Sequence, residues 1–269
     1  MPYLLTRNIR ISIERDDQFN IDLLPNVKSN FGLALSYGNY GLSYSVRLAN
    51  SQQDPTIYGG TKYKDLSFSY YSSRFGGEVY YSAYKGFYTD EKKLDQIRIF
   101  PNLKTRTMGF NLFYAANRKY SLKAAFKAGE QQLRSRGSII VATSYRYTRL
   151  SNLNEILTPN GLPTIESGKF RSISLTLGYG YTFVKRKFYL ATGALIGPGL
   201  EFQQINDKDK TENTQNISFR MLAKSALGYN GNRFLCFFGF SVDAETIYLS
   251  TFDLSQNAYE MSLNIGYRF

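Results

Sequence analysis

Tyr259-Glu260-Met261-Ser262-Leu263-Asn264-Ile265-Gly266-Tyr267-Arg268-Phe269, the last eleven residues, alternate apolar and polar side chains without a slip and end on an aromatic carboxy-terminus. A strand projects successive side chains to opposite faces, so one face here carries Tyr259, Met261, Leu263, Ile265, Tyr267 and Phe269. The other carries Glu260, Ser262, Asn264, Gly266 and Arg268. That is the pattern of a closing strand in a bacterial outer-membrane β-barrel, with the apolar set toward lipid and the polar set toward the lumen. Tyr267 and Phe269 also resemble the terminal signal by which the barrel-assembly machinery recognises its clients.

The pattern recurs along the chain in segments of about ten residues, the length that crosses an outer membrane at a tilt. Clear segments are 28–37, 40–49, 65–72, 78–87, 105–116, 120–128, 138–149, 170–183, 188–202, 216–229, 234–247 and 257–269. Residues flanking a tight hairpin turn must share a face, which tests these boundaries. Tyr37 and Tyr40 flank Gly38-Asn39 and belong to the apolar sets of their strands, as do Phe183 and Phe188 around 184–187. At Asn230-Gly231-Asn232 the faces agree if the turn includes Arg233. Aromatic pairs flank the short turns (Tyr37/Tyr40, Tyr71/Phe75, Tyr114/Tyr120, Phe183/Phe188, Tyr229/Phe234) and are expected to form an interfacial girdle. A soluble β-sandwich is the alternative fold, but it would have to bury most of those rings between two sheets.

Composition agrees with many strands: 23 Tyr, 20 Phe and 22 Gly against 7 Pro. No uninterrupted apolar window reaches the ~18 residues of a membrane helix. The mean hydropathy of −0.34 is no objection, because a barrel distributes its apolar band over alternate residues. Placing Phe269 at the periplasmic side puts 248–256, 203–215 and 150–169 outside as long polar loops, with short turns inside. Carried to the amino-terminus with twelve strands, the asymmetry inverts at 50–64 and 88–104. Adding Gln96–Phe100 and Phe19–Leu24 gives fourteen strands and restores it, except at the turn 117–119. The expectation is an all-β, transmembrane, antiparallel up-and-down barrel of fourteen strands, twelve being the alternative. It occupies 19–269 as one domain, with 1–18 as an amino-terminal lead-in or extra strand. An exported barrel needs a cleavable leader, and Met1-Pro2-Tyr3 runs straight into strand-like sequence, so the expectation is a mature or trimmed form.

The single cysteine, Cys236, excludes an intramolecular disulfide and sits among apolar strand residues. The net charge of +12 raises nucleic acid as a partner, but the basic residues are scattered and no recognition motif is present, so none is expected. Alternation places Arg47, Lys123, Lys127, Arg146, Arg220, Lys224 and Arg268 on the lumen face with Glu78, Asp243 and Glu260. The economical reading is a ladder of mutually satisfied charges filling a narrow interior. The sharper reading is a basic lining that attracts anions or polar solutes. Loop cations such as Lys208 and Lys210 are candidates for contact with lipopolysaccharide phosphates.

Catalysis is constrained by the absence of histidine, which the known outer-membrane hydrolases, acyltransferases and omptin-type proteases use as acid or base. With one cysteine and no histidine a zinc site lacks its usual ligands. Asn206-Asp207-Lys208-Asp209 lacks the Gly and terminal Glu of a calcium loop. No catalytic residue, metal or cofactor is expected. A carboxylate pair such as Glu78 and Asp243 is the one acid/base couple left for a lumen enzyme, although ion pairing accounts for both.

Several strings occur together: Leu24-Pro25-Asn26, Tyr58-Gly59-Gly60-Thr61-Lys62, Tyr80-Tyr81 with Tyr84-Lys85-Gly86-Phe87-Tyr88, and Gln131-Gln132 before Ser135-Arg136-Gly137-Ser138. From about Thr6 to Phe269 the chain resembles domain-of-unknown-function family 4421, predicted outer-membrane barrels of Bacteroidota. That resemblance implies the outer membrane of a Gram-negative cell and brings no reaction and no ligand residue. The functional expectation is a non-enzymatic barrel, either a narrow, porin-like solute channel or a structural envelope component. An accessory subunit of a secretion, gliding or other envelope complex is the alternative. The expected partners are outer-membrane lipid and lipopolysaccharide, the barrel-assembly machinery and envelope proteins.

Overall fold

A computed structural model describes residues 2–15, 19–27, 30–47, 53–91, 96–127, 132–157, 165–207, 211–248 and 253–267. The strands are β1 (Pro2–Arg15), β2 (Phe19–Leu24), β3 (Asn30–Tyr37), β4 (Tyr40–Arg47), β5 (Lys62–Tyr71), β6 (Phe75–Glu91) and β7 (Gln96–Ala115). They continue with β8 (Arg136–Ser151), β9 (Ile165–Lys185), β10 (Phe188–Asp207), β11 (Thr211–Asn230), β12 (Phe234–Tyr248) and β13 (Asp253–Tyr267). Short helices α1 (Pro55–Tyr58), α2 (Leu122–Lys127) and α3 (Asn154–Leu157) lie in connections. None is long and apolar enough to cross a membrane.

All strand pairs are antiparallel, and the sheet closes on itself where β1 runs along β13 from Tyr3↔Asn264 to Glu14↔Asp253. Closure removes both sheet edges, so backbone groups in the wall are paired within the ring, as a lipid environment requires. The side chains are inverted relative to a soluble protein. Leu175, Leu177, Ile196, Ile217, Phe234 and Ile265 are more than half exposed, while Ser144, Ser174, Thr176 and Ser218 between such residues are buried. A water-facing shell of this composition would be a large apolar patch of the kind soluble monomers avoid. It is the lipid belt of a transmembrane barrel. At the short-turn end the belt finishes in outward ring pairs: Phe75–Tyr114, Phe188–Tyr229 and Phe234–Tyr267, with centroids 5.1, 5.5 and 5.1 Å apart. Tyr71 and Tyr120 are not part of this girdle. Both are buried inside the barrel.

The hairpin faces expected from sequence are observed, with Tyr37 opposite Tyr40 and Phe183 opposite Leu190, on the same face as Phe188. Among the described residues the sheet has thirteen strands, between the fourteen favoured by loop asymmetry and the alternative of twelve. Three differences produce that number. Gln96–Phe100 is the start of β7 and not a separate strand. Pro2–Arg15 is a full wall strand. Residues 120–128, expected as a strand, contain α2.

Tyr120, Leu122, Ala124 and Phe126 satisfy period 2, but Leu-Lys-Ala-Ala-Phe-Lys is built from strong helix formers. Ser121 caps the segment, its backbone carbonyl accepting from the Ala125 N–H at 3.0 Å and its hydroxyl from the Ala124 N–H at 3.1 Å. Leu122, Ala124 and Ala125 are buried, so the helix packs its apolar face into the barrel's short-turn end.

The ring also changes width. At the short-turn end it contains β1, β3, β4, β5 and β6 to β13, twelve strands. At the other end β2 bridges β1 and β6 directly, through Ile11↔Leu23 and Leu24↔Tyr88, and ten remain. β2 and β3 are therefore one crossing broken at Pro25-Asn26-Val27, and the shorter β4–β5 hairpin stops beneath the break.

Three of the four strings that carried the family resemblance meet at this break, through Asn26, Gly59, Thr61 and Gly86. The buried Asn26 donates its backbone N–H to Thr61 Oγ1 (2.8 Å), and Thr61 Oγ1 donates to the Gly86 carbonyl (2.7 Å). The Asn26 amide donates to the carbonyls of Gly59 (2.7 Å) and Gln53 (3.1 Å) and accepts the Gln53 N–H (2.8 Å). Gly86 lies at φ +93 in the β6 bulge, and a Cβ there would sit 2.2 Å from the Gly60 carbonyl oxygen. Only glycine fits both the torsion and the contact.

Candidate functional site: a charged layer in the barrel lumen

The lumen is stacked in three layers. At the long-loop end an apolar cluster of buried residues includes Ile11, Leu23, Tyr84, Phe87, Leu103, Leu150, Ile156 and Phe170. At the short-turn end a second cluster contains Tyr71, Phe113, Tyr120, Leu122, Ile140, Tyr189 and Leu222, with Phe126 of α2 packed against it. Between them lie charged side chains brought together from four strands and α2.

Two ion-pair groups form this middle layer. In the first, Glu78 of β6 accepts Lys224 Nζ from β11 at 2.8 and 2.9 Å and the Tyr71 hydroxyl at 2.7 Å. Lys127 Nζ of α2 stands 3.7 Å away. In the second, Asp243 of β12 accepts Arg220 Nε at 3.1 Å and Nη2 at 2.9 Å, a bidentate pair. Arg146 of β8 also contacts Asp243, reaches Glu245 Oε2 at 3.0 Å, and donates from Nε to the Tyr80 hydroxyl at 3.4 Å. The Arg220 side chain is fully buried and that of Glu245 is 1% exposed. Two guanidinium groups thus face two carboxylates in a region where an unpaired charge is costly.

Five of the ten expected lumen charges (Glu78, Arg146, Arg220, Lys224 and Asp243) sit on strands in this layer. Lys127 joins them from α2 instead of from a strand. Lys123, also on α2, reaches across the short-turn end to donate to Asn39 Oδ1 at 2.9 Å, tying the helix to the β3–β4 turn. Glu260 lines the adjoining cavity. The Arg47 side chain, Arg268, Phe269, Lys208, Lys210 and Asp209 lie outside the described residues. Sequence reading missed Tyr71, Tyr80, Glu245 and Glu201, the last a fully buried carboxylate on β10. The two acids had a usable signal, since each falls on the inward parity of its strand, next to outward Leu200 and Phe202 or two residues from Asp243.

Beside the charges is a cavity of about 290 Å³, lined by Ser36, Ser67, Ser69, Ser241, Ser262 and Asn264 and by Glu78, Asp243, Glu260, Lys127 and Lys224. Ser36 and Gly41, at the β3–β4 turn, place it toward the short-turn end, where Phe126 and Lys127 of α2 also line it. Asn111, 5% exposed, also lines it, and its Oδ1 has no hydrogen-bond partner among the described residues. The arrangement can hold a small polar solute by hydrogen bonds. Glu78 and Asp243, the acid/base couple weighed from the sequence, are both engaged by cations.

Among solved structures, the outer membrane protease OmpT of Escherichia coli is 5% identical over all of this chain and 95% of its own, with a TM-score of 0.42. OmpT of Vibrio cholerae, an outer membrane protein, is 7% identical over 100% and 97%, with a TM-score of 0.37. Ail, the attachment invasion locus protein of Yersinia pestis, is 16% identical over 74% and 99%, with a TM-score of 0.32. The protease's chemistry stays with the protease. A comparison with curated proteins finds no significant match. The family model described as "Domain of unknown function (DUF4421)" matches residues 3–269, nearly the whole wall from β1 to β13 together with the Asn26–Thr61–Gly86 junction, and the chain belongs to that family.

Proposed function

We propose that the chain is an integral barrel of a Gram-negative outer membrane, in a Bacteroidota envelope, with no catalytic chemistry. It works as a closed structural or accessory component and not as a standing pore. The observation that carries this reading is the stacking of the lumen. Apolar clusters cap the charged layer at both ends, α2 is packed inside, and most of the central charges are paired. Ions cross apolar constrictions poorly, because dewetting gates them. The exported compartment is supported by the closed ring and its lipid belt. The sequence has no histidine, and Glu78 and Asp243, the acid/base couple weighed from the sequence, are held by lysine and arginine, which supports a non-enzymatic role.

One observation favours a second reading, a gated solute path. The 290 Å³ cavity reaches the middle layer from the short-turn end and presents the unpartnered Asn111 Oδ1. Planar-bilayer recording separates the two. The purified protein is expected to show no standing conductance, and Phe126→Gly, which loosens the α2 plug, is expected to introduce intermittent openings. A large steady conductance of the unmodified protein would overturn the closed-barrel proposal in favour of the channel.

A further inference from the structure

The barrel exterior is asymmetric where its apolar belt meets the long-loop end. On β5 the outward run Tyr70, Phe68, Leu66 is followed by Lys64 and Lys62, and on β6 the run ending in Val79, Tyr81 and Ala83 is followed by Lys85. On β7 Leu112, Phe110 and Met108 give way to Arg106 and Lys104, on β8 the run meets Arg149, and on β9 Leu177, Leu175 and Ile173 lead to Arg171 and Lys169. Five consecutive strands therefore end their lipid face in cations. On β10 and β11 the same place is taken by Gln204 and Gln215.

Register sets these cations against one another. Lys62 stands opposite Lys85 and Lys85 opposite Lys104, while Arg106 stands opposite Arg149 and Arg149 opposite Lys169. Like charges directly across strands repel. Their other cross-strand neighbours are the uncharged Ala83, Tyr147, Ser151, Phe202 and Gln204, and none of the cations pairs with an acid among the described residues. The contacts they do make are neutral: Lys169 Nζ donates to Gln204 Oε1 at 3.2 Å, and Arg171 lies 6.0 Å over the Tyr147 ring. A repelling strip directly above an acyl-chain surface needs anions that sit at headgroup depth. Phosphates carried by a lipid have that charge and that position, and guanidinium groups bind them bidentately.

We infer that the outward face of β5–β9 is a binding surface for the phosphates of an outer-leaflet glycolipid of the lipid A class, whose acyl chains lie on the apolar runs below. This rests on the outer-membrane reading, which places the long-loop end outside.

The test uses the full chain folded into phosphatidylcholine nanodiscs, with phosphorylated lipid A and its dephosphorylated form as probes. Native mass spectrometry or a labelled-lipid titration reads binding. The phosphorylated form is expected to bind more tightly, and R106Q/R149Q/K169Q is expected to weaken it by about five-fold per cation removed, on the order of 100-fold in all. Replacing Gln215 by Ser should leave it unchanged. Should the triple variant not fold, raising salt on the unmodified protein should erase the phosphate preference. Equal binding of the two lipid A forms, or an unaffected triple variant, would overturn the inference. A preference for phosphatidylglycerol over lipid A would overturn the outer-leaflet assignment. Failure of the chain to enter nanodiscs or to fractionate with outer membranes would instead overturn the reading beneath it.

Discussion

Replacing Asp243 by Asn removes one charge, preserves shape, and leaves two guanidinium groups beside a neutral amide. Arg220 suffers most, because its side chain is fully buried and both of its acceptor contacts in the pair are the Asp243 oxygens at 3.1 and 2.9 Å. Arg146 keeps Glu245 at 3.0 Å. Breaking one side of a buried pair costs about 3–5 kcal/mol, most of it the penalty of the stranded charge. If that accounting holds, adding Arg220→Met to Asp243→Asn should return at least about 2 kcal/mol, since the stranded group is then gone. The sequence has no tryptophan, so the assay is gel mobility. The folded fraction is scored by heat-modifiable migration after urea titration in phospholipid vesicles, and the variants form a double-mutant cycle. Asp243→Asn within about 0.5 kcal/mol of the parent, or simple additivity of the two substitutions, would refute a mutually dependent buried charge layer.

Other outcomes follow from the same geometry. Asn26→Ala should cost about 2–4 kcal/mol in the same titration, because the Gln53 N–H and the Gly59 and Gln53 carbonyls lose their partner at the junction where the ring narrows. Gly86→Ala should cost at least about 2 kcal/mol, since φ +93 and the 2.2 Å approach to the Gly60 oxygen must both be relieved. Leu177→Arg, 57% exposed near the middle of β9's lipid face, should destabilise by about 2–4 kcal/mol in vesicles, whereas Gln215→Arg at the belt edge should change stability by less than about 1 kcal/mol.

The wall was legible in the sequence because its information is local. Alternation along β9 and β10 marks which residues face lipid, and the turn between them forces Phe183 and Phe188 onto one face whatever else the chain does. What stayed hidden depends on distant partners. Asn26 reads as a turn residue until Thr61 and Gly86, 35 and 60 positions on, are seen to hold it. That junction explains why the loop asymmetry pointed to fourteen strands, since a crossing broken into β2 and β3 beside a short β4–β5 hairpin gives ten strands at one end and twelve at the other. Residues 120–128 satisfied two periodicities at once, and the choice fell to helix propensity and the Ser121 cap. In the lumen, alternation identified Glu78 and Lys224 as inward, but not that they meet across 146 residues of chain. The outward cationic strip was likewise invisible, because Arg106, Arg149 and Lys169 become neighbours only through strand register.

The central claim is that the apolar outer face lies against lipid. It is tested most directly by spin labels placed one at a time at Ile173, Leu175, Leu177 and Tyr179 of β9, in a Cys236→Ser background that removes the one exposed native thiol. In membranes all four are expected to collide freely with oxygen and poorly with a water-soluble nickel chelate, most strongly so at Leu175 and Leu177. Ready access of the chelate to these positions would contradict the account.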